Sequence, residues 1–288
     1  MKRLLIFLFA VLAVLLMACQ TKQQTEQQTE QQTKQQTESE NSEGIYHFDF
    51  QNFELWTLID KHSTMSADLF PNVDGEILRE TMPSGEAESA INAFLIHKNG
   101  KYVLFDAGLG SEAGGELLNN LSALNIAPED IDVICLTHCH RDHVGGLMAH
   151  DTAVFPKAEL WLSVPELEAF KADETVRKIQ DAYGSRIHTF MFGDTIADFI
   201  ETLDAAGHTP GHTVYKVDEL FIIGDLIHAW ALQIHYPEYC AIYDKDPEQA
   251  VKTRKYFYKI LENADYKAAG MHLPYSGVMQ AFGIIDKN

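Results

Sequence analysis

From Gly44 onward the sequence predicts an α/β layered sandwich, two sheets covered by helices in an αββα arrangement, folded as one domain. Three observations carry this. Short apolar runs alternate with helical patterns along the whole segment, no internal repeat interrupts them, and one Asn-Gly pair joins two apolar runs without a helix between them. The earliest clear strand is "FELWTLI". In "INAFLIHKNGKYVLFDAG" the Asn99-Gly100 pair makes Ile91–His97 and Lys101–Asp106 antiparallel neighbours. "GGELLNNLSAL" has helical spacing and is followed by the strand "DVICLT", then by the strand "AELWLS". Pro165 opens a helix in "VPELEAFKAD", since a missing N–H is harmless in the first turn. "FIETLDAAGHTPGHTVYKVDELFIIGDLIH" reads as three short strands with a Gly-Pro loop between the first two. Asp246-Pro247 fits an N-cap and first helical position for "PEQAVKTRKYFYKILEN", and "KAAGMHLP" returns as a last short strand.

The first 43 residues are of another kind. Lys2 and Arg3 precede an unbroken apolar run from Leu4 to Met17, then Ala18 and Cys19, which is the layout of an export signal. The run is shorter than the roughly 20 apolar residues a membrane span needs. Leu16-Met17-Ala18-Cys19 resembles the lipobox of bacterial lipoproteins, which implies cleavage before Cys19 and lipid on its thiol. The expected boundaries are a signal peptide at 1–18, a tether at 19–43 and the catalytic domain at 44–288. The tether repeats Thr, Lys or Glu, and paired Gln, with nothing apolar to offset roughly 1–2 kcal/mol of backbone entropy per residue. The expected location is extracytoplasmic, on a membrane through the lipid alone.

Composition narrows the functional class. Residues 1–43 carry four basic and five acidic side chains, so nearly all of the net charge of −20 belongs to the folded part. Such a surface argues against nucleic acid, or a polybasic membrane contact, as a partner. Cys135, Cys139 and Cys240 are an odd set at no zinc-knuckle spacing, so no disulfide framework is expected.

The chemistry concentrates in "LTHCHRDHVGGL", Leu136 to Leu147. Three imidazoles and a carboxylate within six residues repel and desolvate poorly unless a cation lies among them. His138 and His140 are two apart, so in an extended segment they project to one side while Cys139 points away. Asp142 and His143 follow in the turn entering "VGGL" and can face a second ion. Nitrogen and oxygen donors in this excess differ from a closed, cysteine-rich structural zinc site.

The pattern His138-Cys139-His140-Arg141-Asp142-His143 resembles the His-x-His-x-Asp-His signature of the metallo-β-lactamase superfamily, over nearly everything from Ile91 onward. The resemblance implies the remaining ligands in order. His208 of "AGHTPGHT" is the metal histidine, with His212 a supporting residue; Asp225 of "FIIGDLIH" is the bridging carboxylate, and His272 of "AAGMHLP" the last histidine. Asp106 of "FDAGLG" is implied to be supporting. His138, His140 and His208 would hold one zinc, Asp142, His143 and His272 the other, and Asp225 both, although the same ligands accept other divalent transition metals. Two Zn²⁺ imply hydrolysis by a shared hydroxide, without a protein nucleophile, because zinc draws the pKa of bound water from 15.7 toward about 7.

The C-terminal third resembles the group containing methyl parathion hydrolase and quorum-quenching lactonases. Asp225 lowers the expectation of β-lactam hydrolysis, since β-lactamases of this fold generally lack that bridge. His228 stands where acyl-homoserine lactonases usually have a tyrosine that holds the substrate carbonyl. Asp142 and His228 are therefore the catalytic candidates, with a small ester, lactone or phosphotriester as substrate. Trp230 and His228 are expected at the pocket rim. The alternatives are a β-lactamase and a non-enzymatic zinc-containing surface-binding lipoprotein.

Overall fold

In the computed structural model the described residues are 44–285, so the expected signal peptide and tether lie outside them. Two seven-stranded sheets form the centre of the domain. The first contains β1 (Ile45–Asp49), β2 (Glu54–Ser66), β3 (Glu86–Lys98), β4 (Lys101–Phe105) and β5 (Ile131–Cys135). β6 (Met148–Ala149) and β7 (Thr152–Ala153) form a two-stranded ladder of their own, after which β8 (Glu159–Ser163) and β9 (Ile187–Phe190) complete the first sheet. Its first four strands are antiparallel neighbours, and β4, β5, β8 and β9 run parallel. The second sheet contains β10 (Thr195–Ile196), β11 (Ile200–Asp204), β12 (Thr213–Val217), β13 (Leu220–Gly224), β14 (Lys267–Gly270), β15 (Val278–Gln280) and β16 (Gly283–Ile284). Within it only β13 and β14 pair in parallel.

The period of two in each strand sorts side chains into three apolar layers. Val103 and Phe105 of β4 face Tyr215, Ile222 and Val278 in the layer between the sheets, whereas Leu104 faces the opposite way. On that outer side Leu104 joins Leu117 and Leu121 of α2 and Val176 and Ile179 of α5. The helices in chain order are α1 (Gly75–Thr81), α2 (Leu117–Ala123), α3 (Arg141–Val144), α4 (Val164–Phe170), α5 (Glu174–Tyr183), α6 (Trp230–Gln233) and α7 (Pro247–Leu261). Phe221 and Ile223 point out of the second sheet onto Phe257, Tyr258 and Leu261 of α7. Helix, sheet, sheet and helix therefore follow in order, the αββα sandwich expected from the sequence. A fully buried Leu or Phe in such layers contributes about 1.5–3 kcal/mol relative to exposure.

The local signals act as read. Asn99 and Gly100 both have positive φ, 54° and 74°, the backbone a two-residue hairpin needs, and Lys98 pairs with Lys101 across it. The Ser163 hydroxyl accepts from Glu166 N at 3.2 Å to cap α4, and Asp246 caps α7 by accepting from Gln249 N at 3.0 Å. Two expectations are corrected. The segment after "KAAGMHLP" does not end the sheet, because Ser276 turns the chain back into β15 and β16, its hydroxyl donating to Ile285 O at 2.5 Å. The turn expected at Asp142 is a short helix, α3. No helix among the described residues is long and apolar enough to cross a membrane.

Candidate metal centre

Seven side chains predicted from far-apart segments converge at one end of the two sheets. His138 and His140 follow β5, Asp142 and His143 lie in α3, His208 follows β11, Asp225 follows β13 and His272 follows β14. Each stands just past the C-terminal end of its strand or in the helix entered from it, so the parallel strands aim their exits at one place.

His138 Nε2, His140 Nδ1 and His208 Nε2 form a triangle with edges of 3.0, 3.0 and 3.2 Å. Asp225 Oδ2 closes it, 3.3 Å from His208 Nε2 and 3.7 Å from His138 Nε2. The outer nitrogens explain what faces inward. Asp244 Oδ1 accepts from His208 Nδ1 at 2.9 Å, which leaves Nε2 with a lone pair. Thr137 donates its hydroxyl to Asp106 Oδ2 at 2.7 Å and so accepts from His138 Nδ1 at 3.1 Å. Burial lowers His140 and His208 to about 4 and His138 well below its usual value, so all three are neutral at pH 7. Three lone pairs about 3 Å apart repel unless a cation separates them. The spacing suits a tetrahedral shell, whose edge for Zn–N bonds of 2.0–2.1 Å is about 3.3–3.4 Å.

The adjoining group is built differently. His143 Nε2 lies 3.2 Å from Asp225 Oδ1 and 3.7 Å from Asp142 Oδ2, while His272 Nε2 lies 3.2 Å from Asp225 Oδ2 and 3.4 Å from Asp142 Oδ2. His143 Nδ1 donates to Asp106 Oδ2 at 2.6 Å and His272 Nδ1 to Ala90 O at 2.9 Å. Burial opposes charge on both rings, but carboxylates outweigh it: His143 is raised well above the usual range by Asp225, Asp142 and Asp106, and His272 to about 9 chiefly by Asp225. The same pairs hold Asp225 and Asp142 low against burial. His143 Nε2 and Asp225 Oδ1 are buried and close no well-aligned hydrogen bond, which suits donors meant for a shared ion.

His212, the second histidine of "GHTPGH", is turned away from both groups. Its Nδ1 donates to Ala205 O at 3.1 Å and its Nε2 accepts from Asp225 N at 3.0 Å, so it fixes the backbone of Asp225 and has no free nitrogen. Asp106, in the left-handed region at φ 57°, grips Thr137 N and Thr137 Oγ1, each at 2.7 Å, as well as His143. Neighbouring elements lock the loops. Glu166 of α4 accepts from Cys139 N at 2.8 Å, Thr209 Oγ1 at 2.7 Å and Gly211 N at 3.0 Å, joining the two histidine loops through one buried carboxylate. Arg254 of α7 donates to Asp244 Oδ2 at 3.3 Å, behind His208. The glycines of "VGGL" are explained by close approach, since a Cβ on Gly146 would come within 2.0 Å of Ala107 O. Sequence reasoning missed Glu166, Asp244 and Arg254. A glutamate behind Pro165 looks like an ordinary first-turn acid, and neither Asp244 nor Arg254 carries a local signal.

The expected rim residues are corrected. His228 is 1% exposed, inside the cluster rather than at its edge, with Nε2 3.5 Å from Asp225 Oδ2 and both nitrogens without a hydrogen bond. Gln233 Oε1 accepts from His228 N at 2.7 Å and fixes its position. Trp230 packs instead against the apolar layer that contains Leu226 and Phe257, on the outer face of the second sheet. The cleft above the cluster, about 480 Å³, is walled instead by Met65, Leu69, Ile91, Ile242 and Tyr243, with Arg141 and Lys245 beside His140.

Residues 87–237, just over half of the chain, match the family model of the metallo-beta-lactamase superfamily. The chain belongs to that superfamily. The solved structure of AbOPH, a hydrolase of the beta lactamase superfamily, is 32% identical with a TM-score of 0.74, covering 83% of this chain and 94% of its own. AidC, a dizinc quorum-quenching lactonase solved with a homoserine product, is 26% identical with a TM-score of 0.74, covering 82% and 92%. Among curated relatives, the exodeoxyribonuclease WalJ of Streptococcus pneumoniae is 39% identical over 59 residues, 20% of this chain and 21% of its own. The chain spans about half, 54%, of YobT of Bacillus subtilis, at 26% identity over 133 residues and 42% of its own length.

Proposed function

We propose that the chain is a hydrolase working with two divalent cations, zinc in the first instance, on a small ester, lactone or phosphotriester. The observation that carries this reading is Asp225, whose carboxylate lies between two sets of donors: Oδ2 is 3.3 Å from His208 and 3.7 Å from His138 of the first set and 3.2 Å from His272 of the second, and Oδ1 is 3.2 Å from His143. The bound cations would supply activation of water and polarisation of the substrate oxygen under attack. The rest falls to the protein. Asp106, Asp244, Thr137 and the Ala90 carbonyl hold the outer ring nitrogens and so fix each lone pair's direction. Asp142, 28% exposed, is the carboxylate open to the cleft and can accept a proton there. His228 has a ring nitrogen free to donate toward Asp225 or a developing oxyanion.

The similarity to AbOPH, a hydrolase, supports a hydrolytic role, and that to AidC, a lactonase, supports a lactone- or ester-cleaving role over an antibiotic-cleaving one. The short stretch shared with WalJ weighs less than the charge of −20, which opposes a phosphate backbone. We place the protein outside the cytoplasm, tethered through lipid on Cys19. A substrate panel on metal-analysed protein tests the function: the expected result is turnover of aryl esters and phosphotriesters, weaker action on acyl-homoserine lactones and little on β-lactams. Efficient β-lactam turnover without ester or phosphotriester hydrolysis would overturn it. Cys19→Ala should release the protein from the membrane fraction, and wild-type protein found soluble without lipid would remove the tether.

A further inference from the structure

The cleft over the candidate centre has a feature that bridging cations do not require. Two side chains of its wall, Arg141 and Lys245, are cationic and exposed. Several cations of this chain of net charge −20 pair with carboxylates, Lys98 with Asp218, Lys216 with Glu201, Lys252 with Glu248 and Arg254 with Asp244, while others such as Lys101, Arg177 and Lys255 are exposed and have no ion pair among the described residues; Arg141 and Lys245 stand out by lining the cleft. Among the described residues, the side chains of Arg141 and Lys245 make no ion pair and no hydrogen bond. Neither is on a wandering loop. Arg141 is the first residue of α3, between His140 and Asp142, and Lys245 N donates to His208 O at 3.0 Å while Asp246 N donates to Gly207 O at 2.9 Å. Both cations are thus anchored through the backbone to the segments that carry the site histidines. The two carboxylates on the cleft wall, Asp142 and Asp225, are turned to His143 and His272 and do not neutralise them.

Other parts of the wall are apolar. Ile242 is 60% exposed and Tyr243 43%, large surfaces to leave in water at the mouth of a cleft, and Ile242 N donates to Leu69 O at 2.9 Å so that Leu69 and Met65 continue the same face.

We propose that the cleft takes substrates bearing an oxyanion, a carboxylate or phosphate, joined by a short apolar arm to the bond that is cut, with Arg141 and Lys245 receiving the oxyanion. The inference rests on the hydrolase reading for its chemistry and on these two cations for its selectivity. Arg141 offers the planar fork that matches either oxyanion, and Lys245 a point charge.

The test compares 4-nitrophenyl hydrogen glutarate with 4-nitrophenyl pentanoate, which differ in a terminal carboxylate against a methyl, and adds 4-nitrophenyl 4-phosphonobutanoate to tell carboxylate from phosphate. With metal-loaded full-length protein, the expected kcat/KM is about tenfold higher for an anionic ester than for the neutral one, mostly through KM. In Arg141→Gln/Lys245→Gln the ratio falls to near one, and in the wild type it shrinks as salt rises. Both side chains are exposed, and a melting curve checks that the double variant folds. In parallel, calorimetry with hexane-1-sulfonate on the metal-free protein reads the cations without turnover: binding is expected in the wild type and lost in the double variant. A wild-type ratio of one or below, or a ratio unchanged in the double variant, overturns the inference. Should none of these esters be hydrolysed, the aryl-ester part of the hydrolase reading fails, and the sulfonate titration alone decides whether the cations receive an oxyanion.

Discussion

The two halves of the candidate centre share Asp225 yet differ in charge. His138, His140 and His208 are neutral imidazoles whose lone pairs already face one another, with burial keeping protons off them. Asp142, His143 and His272 are a web of carboxylates and imidazolium ions, in which protons occupy the positions that lone pairs hold next door. The first half is preorganised for a cation and strained without one. The second is compensated without one, and a cation there must displace protons. Burial alone does not make this difference, since both halves are buried; around His143 and His272 the carboxylates outweigh burial, whereas at His208 burial prevails although Asp225 and Asp244 both face it. His143 faces Asp106, Asp142 and Asp225, whereas His138 meets only Asp225 among the ion pairs.

The largest effect should come from the residue the halves share. Asp225→Ala is expected to lower metal content from about two per chain and to cut turnover by more than about 100-fold, beyond the upper end of what loss of an outer partner costs. Two tightly held ions with near-normal activity in that variant would refute the shared carboxylate.

The outer carboxylates separate the halves. Asp244→Asn should weaken cation binding by about 10–100-fold in the His208 half and Asp106→Asn by a similar factor in the His143 half, each leaving the other half loaded. Metal titration of both variants reads this, and equal loss from both halves in either variant would break the comparison. His212→Ala, by contrast, should keep both ions and lose activity modestly, because it touches only the backbone of Asp225.

The pH dependence should follow the same division. In the metal-free protein His143 and His272 are protonated at neutral pH, so loading the second half releases about two protons and its apparent affinity climbs with pH as long as either ring keeps its proton, His272 losing its own near 9. Loading the first half releases none above about pH 5, since His140 and His208 titrate near 4. A weakly buffered titration with an indicator dye measures the difference. The sign for stability agrees: the raised His272 stabilises the metal-free fold fully below its unfolded value near 6.5, and that contribution is lost as pH rises through about 9.

The smallest effect lies far from the centre. Lys98 on the β3–β4 hairpin pairs with Asp218 on the β12–β13 turn, and the pair holds the Asp218 carboxyl low. Asp218→Asn should cost no more than about 1 kcal/mol, an amount present above the unfolded pKa near 3.9 and lost as pH falls below it. Urea denaturation at pH 7 and pH 3 checks this.

The parts of the fold legible in the sequence are those with a local cause. Asn99-Gly100 forces a hairpin, Ser163 and Asp246 cap helices, and the unbroken apolar run opening "FIIGDLIH" reports a strand buried on both faces. Segments whose structure depends on partners were not legible. β1 pairs with β2 along all five residues although "IYHFD" alone is ambiguous, and α1 is held by a layer in which Phe70 and Met82 meet Leu232 and Ala241. At the centre, the seven donors sit at motif positions and could be numbered in advance. Their supports could not, because Glu166 and Arg254 act through backbone atoms and carboxylates distant in the chain. His228 is expected at a rim because it stands where related lactonases have a substrate-holding tyrosine; only the fold shows it buried, with Gln233 holding its backbone N–H.

The most direct test of the central claim is an anomalous-difference map of zinc-loaded crystals collected on both sides of the zinc absorption edge. The account predicts two peaks about 3.5–4 Å apart, one against His138, His140 and His208, the other against Asp142, His143 and His272, with the Asp225 carboxylate between them. A single peak, or two peaks of which neither touches Asp225, would contradict it.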